Sequence, residues 1–198
     1  MRVKQVHGNV VRILKRGEVP DLAAELRPDG DAIISNVMGQ ALAVMVADCV
    51  PILICDRVRG TAAAIHAGWR GTCARIAPTA IDAMHREFGS EPADLIAAIG
   101  PSVGPRDYEV GEWLITAFTA AGHSRSDVDR WFIRTGPKPH LDLWSANRDQ
   151  LILAGIPAAA ISLCGLSTVS HPDIFDSYRV DGERAGRMAA IIVVPPER

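Results

Sequence analysis

The chain has 198 residues, of which 48% are apolar and 22% charged, and a formal net charge of −2. That length suits one domain able to bury about 70% of the surface its unfolded chain exposes, and the composition excludes a disordered or low-complexity protein. A near-neutral balance without a clustered basic tract argues against nucleic acid or an anionic membrane as the main partner.

In chain order, 31–38 reads as a strand, followed by a longer apolar run over 41–56. The longer run is too short, and too interrupted by Asp48 and Pro51, to span a bilayer. A second apolar run over 60–67 follows the polar turn Asp56-Arg57-Val58-Arg59-Gly60, and the two are predicted to pair as an antiparallel hairpin. The segment 75–88 sets Ile76, Ala80, Ile81, Met84 and Phe88 on one helical face, with Pro78 in the first turn where proline is tolerated. A strand at 95–99 and a helix at 112–121 come next. A further helix at 145–154 is closed by Gly155 and Pro157, and strands follow at 160–163 and 188–194. The polar stretches 124–129 and 170–184 read as flexible.

Without a regular strand-helix-strand alternation, these elements predict an α+β or mixed α/β fold, a single domain over 1–198, and neither a Rossmann nor a TIM-barrel arrangement. No signal peptide is expected from the opening residues. The four cysteines, at 49, 55, 73 and 164, lack the spacing of a disulfide scaffold, so a reducing cytoplasm is expected.

Three residues stand out for chemistry: His7 in Gln5-Val6-His7-Gly8, Cys49 in Ala47-Asp48-Cys49-Val50-Pro51, and His66 in Ile65-His66-Ala67-Gly68-Trp69-Arg70. Two imidazoles and one thiolate suit zinc and leave its fourth tetrahedral position for water or substrate. In the hairpin, Cys49 is expected opposite His66 to within about one residue, with Pro51 a place for a bulge that corrects the register. His7 must be brought in by the fold. The same residues also fit a buried small hydrophobe and two ordinary histidines, and no CxxC or HExxH signature decides between the readings.

Arg70 follows the strand that carries His66, where its guanidinium reads equally as an anion partner for the site or as a surface turn residue. Asp48, next to Cys49, is expected on the opposite face as a structural hydrogen-bond acceptor. Gly100-Pro101-Ser102-Val103-Gly104-Pro105 lacks the lysine and spacing of a phosphate-binding loop and reads as a turn. Tyr108 and Glu109 carry no sign that ranks them above core and rim residues, and Arg179 and Arg187 are secondary candidates for binding an anion. His85, His123, His140 and His171 fall in helical or loop contexts where a solvated imidazole is the default.

The strings QVHG, ADCVP, AIHAGWRGT, AIGPSVGPRDYEVG, LDLWSANRDQLILAGI and SYRVDGERAGRM resemble the bacterial YfiH/YlmD family, long labelled polyphenol oxidase or laccase-domain proteins and related to FAMIN. They run in family order from residue 5 to about residue 192. The resemblance implies a layered domain of mixed sheets flanked by helices, and a metal held by His7, Cys49 and His66. It also implies a zinc (Zn2+) enzyme acting on purine nucleosides and phosphate. The reactions implied are phosphorolysis of adenosine, inosine, guanosine and methylthioadenosine, and hydrolytic deamination of adenosine. Arg70 would then meet the phosphate.

The chain departs from the family where it starts almost on QVHG, since members usually carry further N-terminal strands. It also departs in Phe175-Asp176-Ser177-Tyr178-Arg179-Val180, in Ala185-Gly186-Arg187, and at Arg106-Asp107. These differences touch substrate contacts and leave the metal set intact. Two other functions share the same atoms. One is a hydrolase with Cys49 as nucleophile and His66 as base, acting on an amide such as a peptidoglycan precursor. The other is a copper-dependent, laccase-like polyphenol oxidase, for which six histidines are few; copper at the zinc site in vitro accounts better for weak oxidase activity.

Overall fold

The computed structural model describes residues 1–18, 27–134 and 136–196. Its centre is a six-stranded mixed sheet in the order β1-β2-β5-β4-β6-β9. The strands are β1 (Val11–Leu14), β2 (Ala32–Ser35), β4 (Val50–Asp56), β5 (Thr61–Ala67), β6 (Leu95–Ile99) and β9 (Ile161–Leu163). A second, two-stranded sheet pairs β3 (Ala41–Val46) with β10 (Met188–Val193), and β7 (Phe132–Ile133) pairs with β8 (His140–Leu141). The helices among the described residues are α1 (Trp69–Cys73), α2 (Ile76–Phe88), α3 (Trp113–Ala120), α4 (Arg125–Trp131), α5 (Leu143–Leu153) and α6 (Tyr178–Asp181). The fold is mixed α/β, as the sequence predicts, and none of these helices is long and apolar enough to cross a membrane.

Strand alternation explains the layers. Every residue of β5 is buried, which requires cover on both faces of the sheet. Ala63, Ile65 and Ala67 point to one side and pack with Ile76, Ala80, Ile81 and Met84 of α2, the helical face read from the sequence. Ala62 and Ala64 point to the other side and pack with Ile33, Leu42 and Val44, beneath the β3–β10 sheet. Small alanines on β5 let both layers approach closely. Each large aliphatic chain buried here contributes about 1.5–3 kcal/mol, so Ile52, Ile54 and Ile65 at zero exposure anchor the sheet.

The apolar run over 41–56 is two strands, not one. β3 belongs to the small sheet and β4 to the large one, and Ala47-Asp48-Cys49 makes the corner between them. Asp48 takes φ +84, a left-handed conformation costly for a residue with a Cβ. Both its oxygens are held from the far end of the chain: Thr168 Oγ1 donates at 2.6 Å and the Arg179 amide at 2.7 Å. Asp48 is therefore the structural acceptor the sequence suggested.

The hairpin forms as expected, with Gly60 at φ +61 in its turn and the Val58 and Arg59 amides donating to Asp56. Its register is continuous, with Pro51 opposite His66 and Val50 opposite Ala67, so the bulge foreseen at Pro51 does not occur. Extended by one residue, this register sets Cys49 against Gly68, two residues from His66 instead of one. A two-residue offset keeps both side chains on one face of the sheet.

Two stretches read as flexible contain helices. Residues 125–129 lie within α4, which Ser124 caps by accepting from the Asp127 amide. Within 170–184 lies α6, capped in the same way by Ser177, which accepts from the Val180 amide.

Candidate metal centre

The side chains of His7, Cys49 and His66 converge at the mouth between the two sheets, where β3 and β4 part at the Asp48 corner. Their ligand atoms all lie within 4.8 Å of one another, and the two imidazole rings meet edge to face at 4.8 Å between centroids. His66 continues the Ala62–Ala64 face of β5 and is 3% exposed. Cys49 is half-buried and His7 exposed, so the group is anchored in the core on one side and open on the other.

His7 arrives on the N-terminal segment, which lies along β3. There the Gln5 side chain donates to the Met45 carbonyl at 2.7 Å and accepts from the Met45 amide at 2.8 Å. His7 itself sits at φ +61, and the turn is held by Asp31. One oxygen of Asp31 accepts from the His7 amide at 2.9 Å and the other from the Gly8 amide at 2.7 Å. The same carboxylate lies 2.9 Å from His66 Nδ1, at zero exposure.

Asp31 thus orients two of the three candidate ligands. Holding the proton on His66 Nδ1 leaves Nε2 to face Cys49 and His7, the arrangement by which a carboxylate fixes a metal-ligating histidine. Sequence reading missed Asp31. Its only local sign is an acidic residue at the head of an apolar strand.

Charge within the group favours a thiolate. Burial pushes the Cys49 thiol up, but hydrogen bonds with His66 and His7 outweigh it and bring its pKa down to about 7. Burial pushes the His66 imidazolium down, but hydrogen bonds to Asp31 and Cys49 outweigh that and raise its pKa to about 9. For Asp31, burial raises the carboxyl while the His66 and Gly8 hydrogen bonds hold it below the usual range. A thiolate and two imidazoles with one orienting carboxylate are the donor set that tetrahedral sites use, so these residues fit a metal.

The group opens into a cleft of about 1080 Å³. Six cationic side chains line it, Arg2, Lys4, Arg27, Arg70, Arg179 and Arg187, against one acid, Asp48, whose oxygens are already engaged. Arg70 lies in α1 rather than in a turn, exposed, with its guanidinium 4.4 Å over the Trp69 ring. Arg179 is tied back by donating to the Glu109 carbonyl and stacks 5.1 Å over the Tyr108 ring. Tyr108 is a cleft wall, whereas Glu109 turns outward to Lys138. Burial, with the charges of Cys49 and Asp48, pushes the Tyr108 phenol up to about 12.

The remaining histidines serve elsewhere. His85, His123 and His171 bond to the carbonyls of Ser90, Cys73 and Ser167, and His140 lies on β8. No second group of three metal-ligating side chains occurs among the described residues.

Comparison with known proteins agrees with this architecture. The family model described as multi-copper polyphenol oxidoreductase laccase matches residues 1–195. A purine nucleoside phosphorylase of Bacteroides thetaiotaomicron is 42% identical over 167 residues, covering 83% of this chain and 60% of that protein. Adenosine deaminase RL5, from an unknown prokaryotic organism, is 39% identical over 158 residues, 79% of this chain and 59% of its own length. The chain therefore spans about three-fifths of these two relatives. The crystal structure of the Bacillus licheniformis hypothetical protein YfiH superimposes with a TM-score of 0.89 at 30% identity, covering 97% of this chain and 73% of that one. With its mixed α/β layers, its His-Cys-His group and a match over nearly its whole length, the chain belongs to the multi-copper polyphenol oxidoreductase laccase family, the family of the YfiH proteins.

Proposed function

We propose that this chain is a zinc-dependent purine nucleoside phosphorylase that also deaminates adenosine. The observation that carries the reading is the convergence of His7, Cys49 and His66, backed by Asp31, at the floor of a cationic cleft. Two relatives named for nucleoside phosphorolysis and adenosine deamination support the substrate class. Zinc held by the three residues would supply a Lewis acid for a phosphate oxygen, or a water made acidic enough to attack at neutral pH.

The protein's own groups do the rest. Arg70 and Arg179 line the same cleft and present guanidinium donors suited to phosphate. Trp69, braced edge to face by Trp113 at 5.2 Å, offers a fixed aromatic wall beside the site. Asp31 holds His66 and the His7 turn in place, so neither imidazole must reorganise during turnover. Adenosine, inosine, guanosine and methylthioadenosine are the proposed substrates.

One observation favours a second reading. Asp31, His66 and Cys49 stand in the order carboxylate, imidazole, thiolate, which is also the layout of a cysteine hydrolase. Metal separates the two, because chelation should abolish a zinc enzyme and release a thiol nucleophile.

The test is metal analysis of the purified protein together with chromatography of adenosine incubations. One zinc per chain is expected, absent in Cys49→Ala. Adenine and ribose 1-phosphate should appear only with phosphate, and inosine with or without it. Full zinc occupancy in Cys49→Ala would overturn the ligand set. If adenosine is not consumed and a thiol-alkylating reagent blocks hydrolysis of a peptidoglycan precursor, the hydrolase reading replaces this one.

A further inference from the structure

Two phenols stand in the wall of the cleft, Tyr178 exposed and Tyr108 half-buried, and the reading above gives Tyr108 no task. It lies among the lining residues with His7, Cys49, His66 and Arg70. Its ring is clamped by the Arg179 guanidinium, which the Glu109 carbonyl holds from behind. The Arg179 backbone is in turn fixed to Asp48, the neighbour of Cys49. The ring is thus braced against the corner that carries the thiolate.

Its hydroxyl is different. No hydrogen bond to it is made by any described residue, and it is not among the buried polar atoms that lack a partner. It is a rigidly mounted donor open to the cleft.

We propose that Tyr108 donates a hydrogen bond to the departing purine in phosphorolysis, an inference that rests on the phosphorylase reading. In that reaction the C1′–N9 bond breaks and its electron pair goes to the purine, while a phosphate oxygen forms the new bond to C1′. The proton given up by hydrogenphosphate ends on the purine through solvent, and Tyr108 keeps its own. Guanidinium groups suit the phosphate, whose charge is present throughout. The purine gains negative charge only as the bond breaks. A neutral, preorganised donor stabilises that transition state without tightening the ground state, which is the condition for raising kcat.

The test compares guanosine with 7-methylguanosine, whose ring already carries a positive charge and leaves without help. Tyr108→Phe keeps the ring under Arg179 and removes only the hydroxyl. Loss of one preorganised donor costs on the order of 10²-fold in kcat, expected here for guanosine with KM nearly unchanged. The loss on 7-methylguanosine should be below about threefold. Equal losses on both nucleosides, or none on guanosine, would overturn the role of Tyr108. If the wild-type protein releases base from neither nucleoside, the phosphorylase reading itself has failed.

Discussion

Across the β4–β5 hairpin, Gly68 faces Cys49 so closely that a Cβ on residue 68 would stand 2.8 Å from the Cys49 sulfur and 3.4 Å from the His7 ring. The backbone at Gly68 is ordinary, at φ −70 and ψ 175, so the glycine is there for room and not for conformation. Gly68→Ala should displace the thiolate and lower zinc affinity by on the order of tenfold or more. Circular dichroism should show the fold retained. Unchanged zinc affinity in this variant would mean that the sulfur does not need that space.

Asp31 joins two candidate ligands that are far apart in sequence. Asp31→Asn would set an amide N–H against one of its four donors, the His66 ring or the amides of Val6, His7 and Gly8. Loss of such an orienting carboxylate costs about 10–100-fold in metal affinity. A competition titration against a chelator should find that loss, and a shift below about twofold would remove Asp31 from the centre.

Arg70 is expected to serve phosphate and not the base. Arg70→Ala should raise the phosphate concentration for half-maximal phosphorolysis by roughly tenfold, the worth of one charge-assisted hydrogen bond. Adenosine deamination should change less. Equal losses in the two reactions would assign Arg70 to the structure of α1.

His123 gives the fold a dependence on pH that is separate from the metal. Its ring packs 5.3 Å from both Phe118 and Trp131, at 8% exposure, and bonds to the Cys73 carbonyl at 2.8 Å. Burial holds its pKa below the ordinary 6.5. The unfolded chain therefore takes up a proton near 6.5 that the folded chain resists. Stability is full above that pH and is lost as the pH falls from there through the lower folded value. Urea denaturation at pH 8 and pH 5.5 should show a smaller drop in midpoint for His123→Phe than for the wild-type chain. Equal drops would place the acid sensitivity elsewhere.

Much of the site could be read from the sequence because it rests on local pattern. The apolar runs and the turn at 56–60 put Cys49 and His66 on one hairpin, and the family resemblance implied His7 as their partner. What could not be read was set by distant contacts. The corner at Asp48 has neither glycine nor proline to announce it, since the energy that holds it comes from Thr168 and Arg179. Asp31 looks like any strand-leading acid until β2 pairs beside β5. The helix α4 was missed for another reason: Ser124 and Asp127 form a cap, but their polarity reads as a loop when apolar spacing is the only guide.

The Asp48 corner also has a consequence in time. All three candidate ligands lie within the first 66 residues, while the donors that hold the corner between β3 and β4 are 120 and 131 residues further along. A chain still leaving the ribosome carries every ligand long before it carries Thr168 and Arg179. The finished geometry of the centre therefore belongs to the completed chain, and a nascent chain stopped short of residue 168 would present Cys49 on a corner with neither donor.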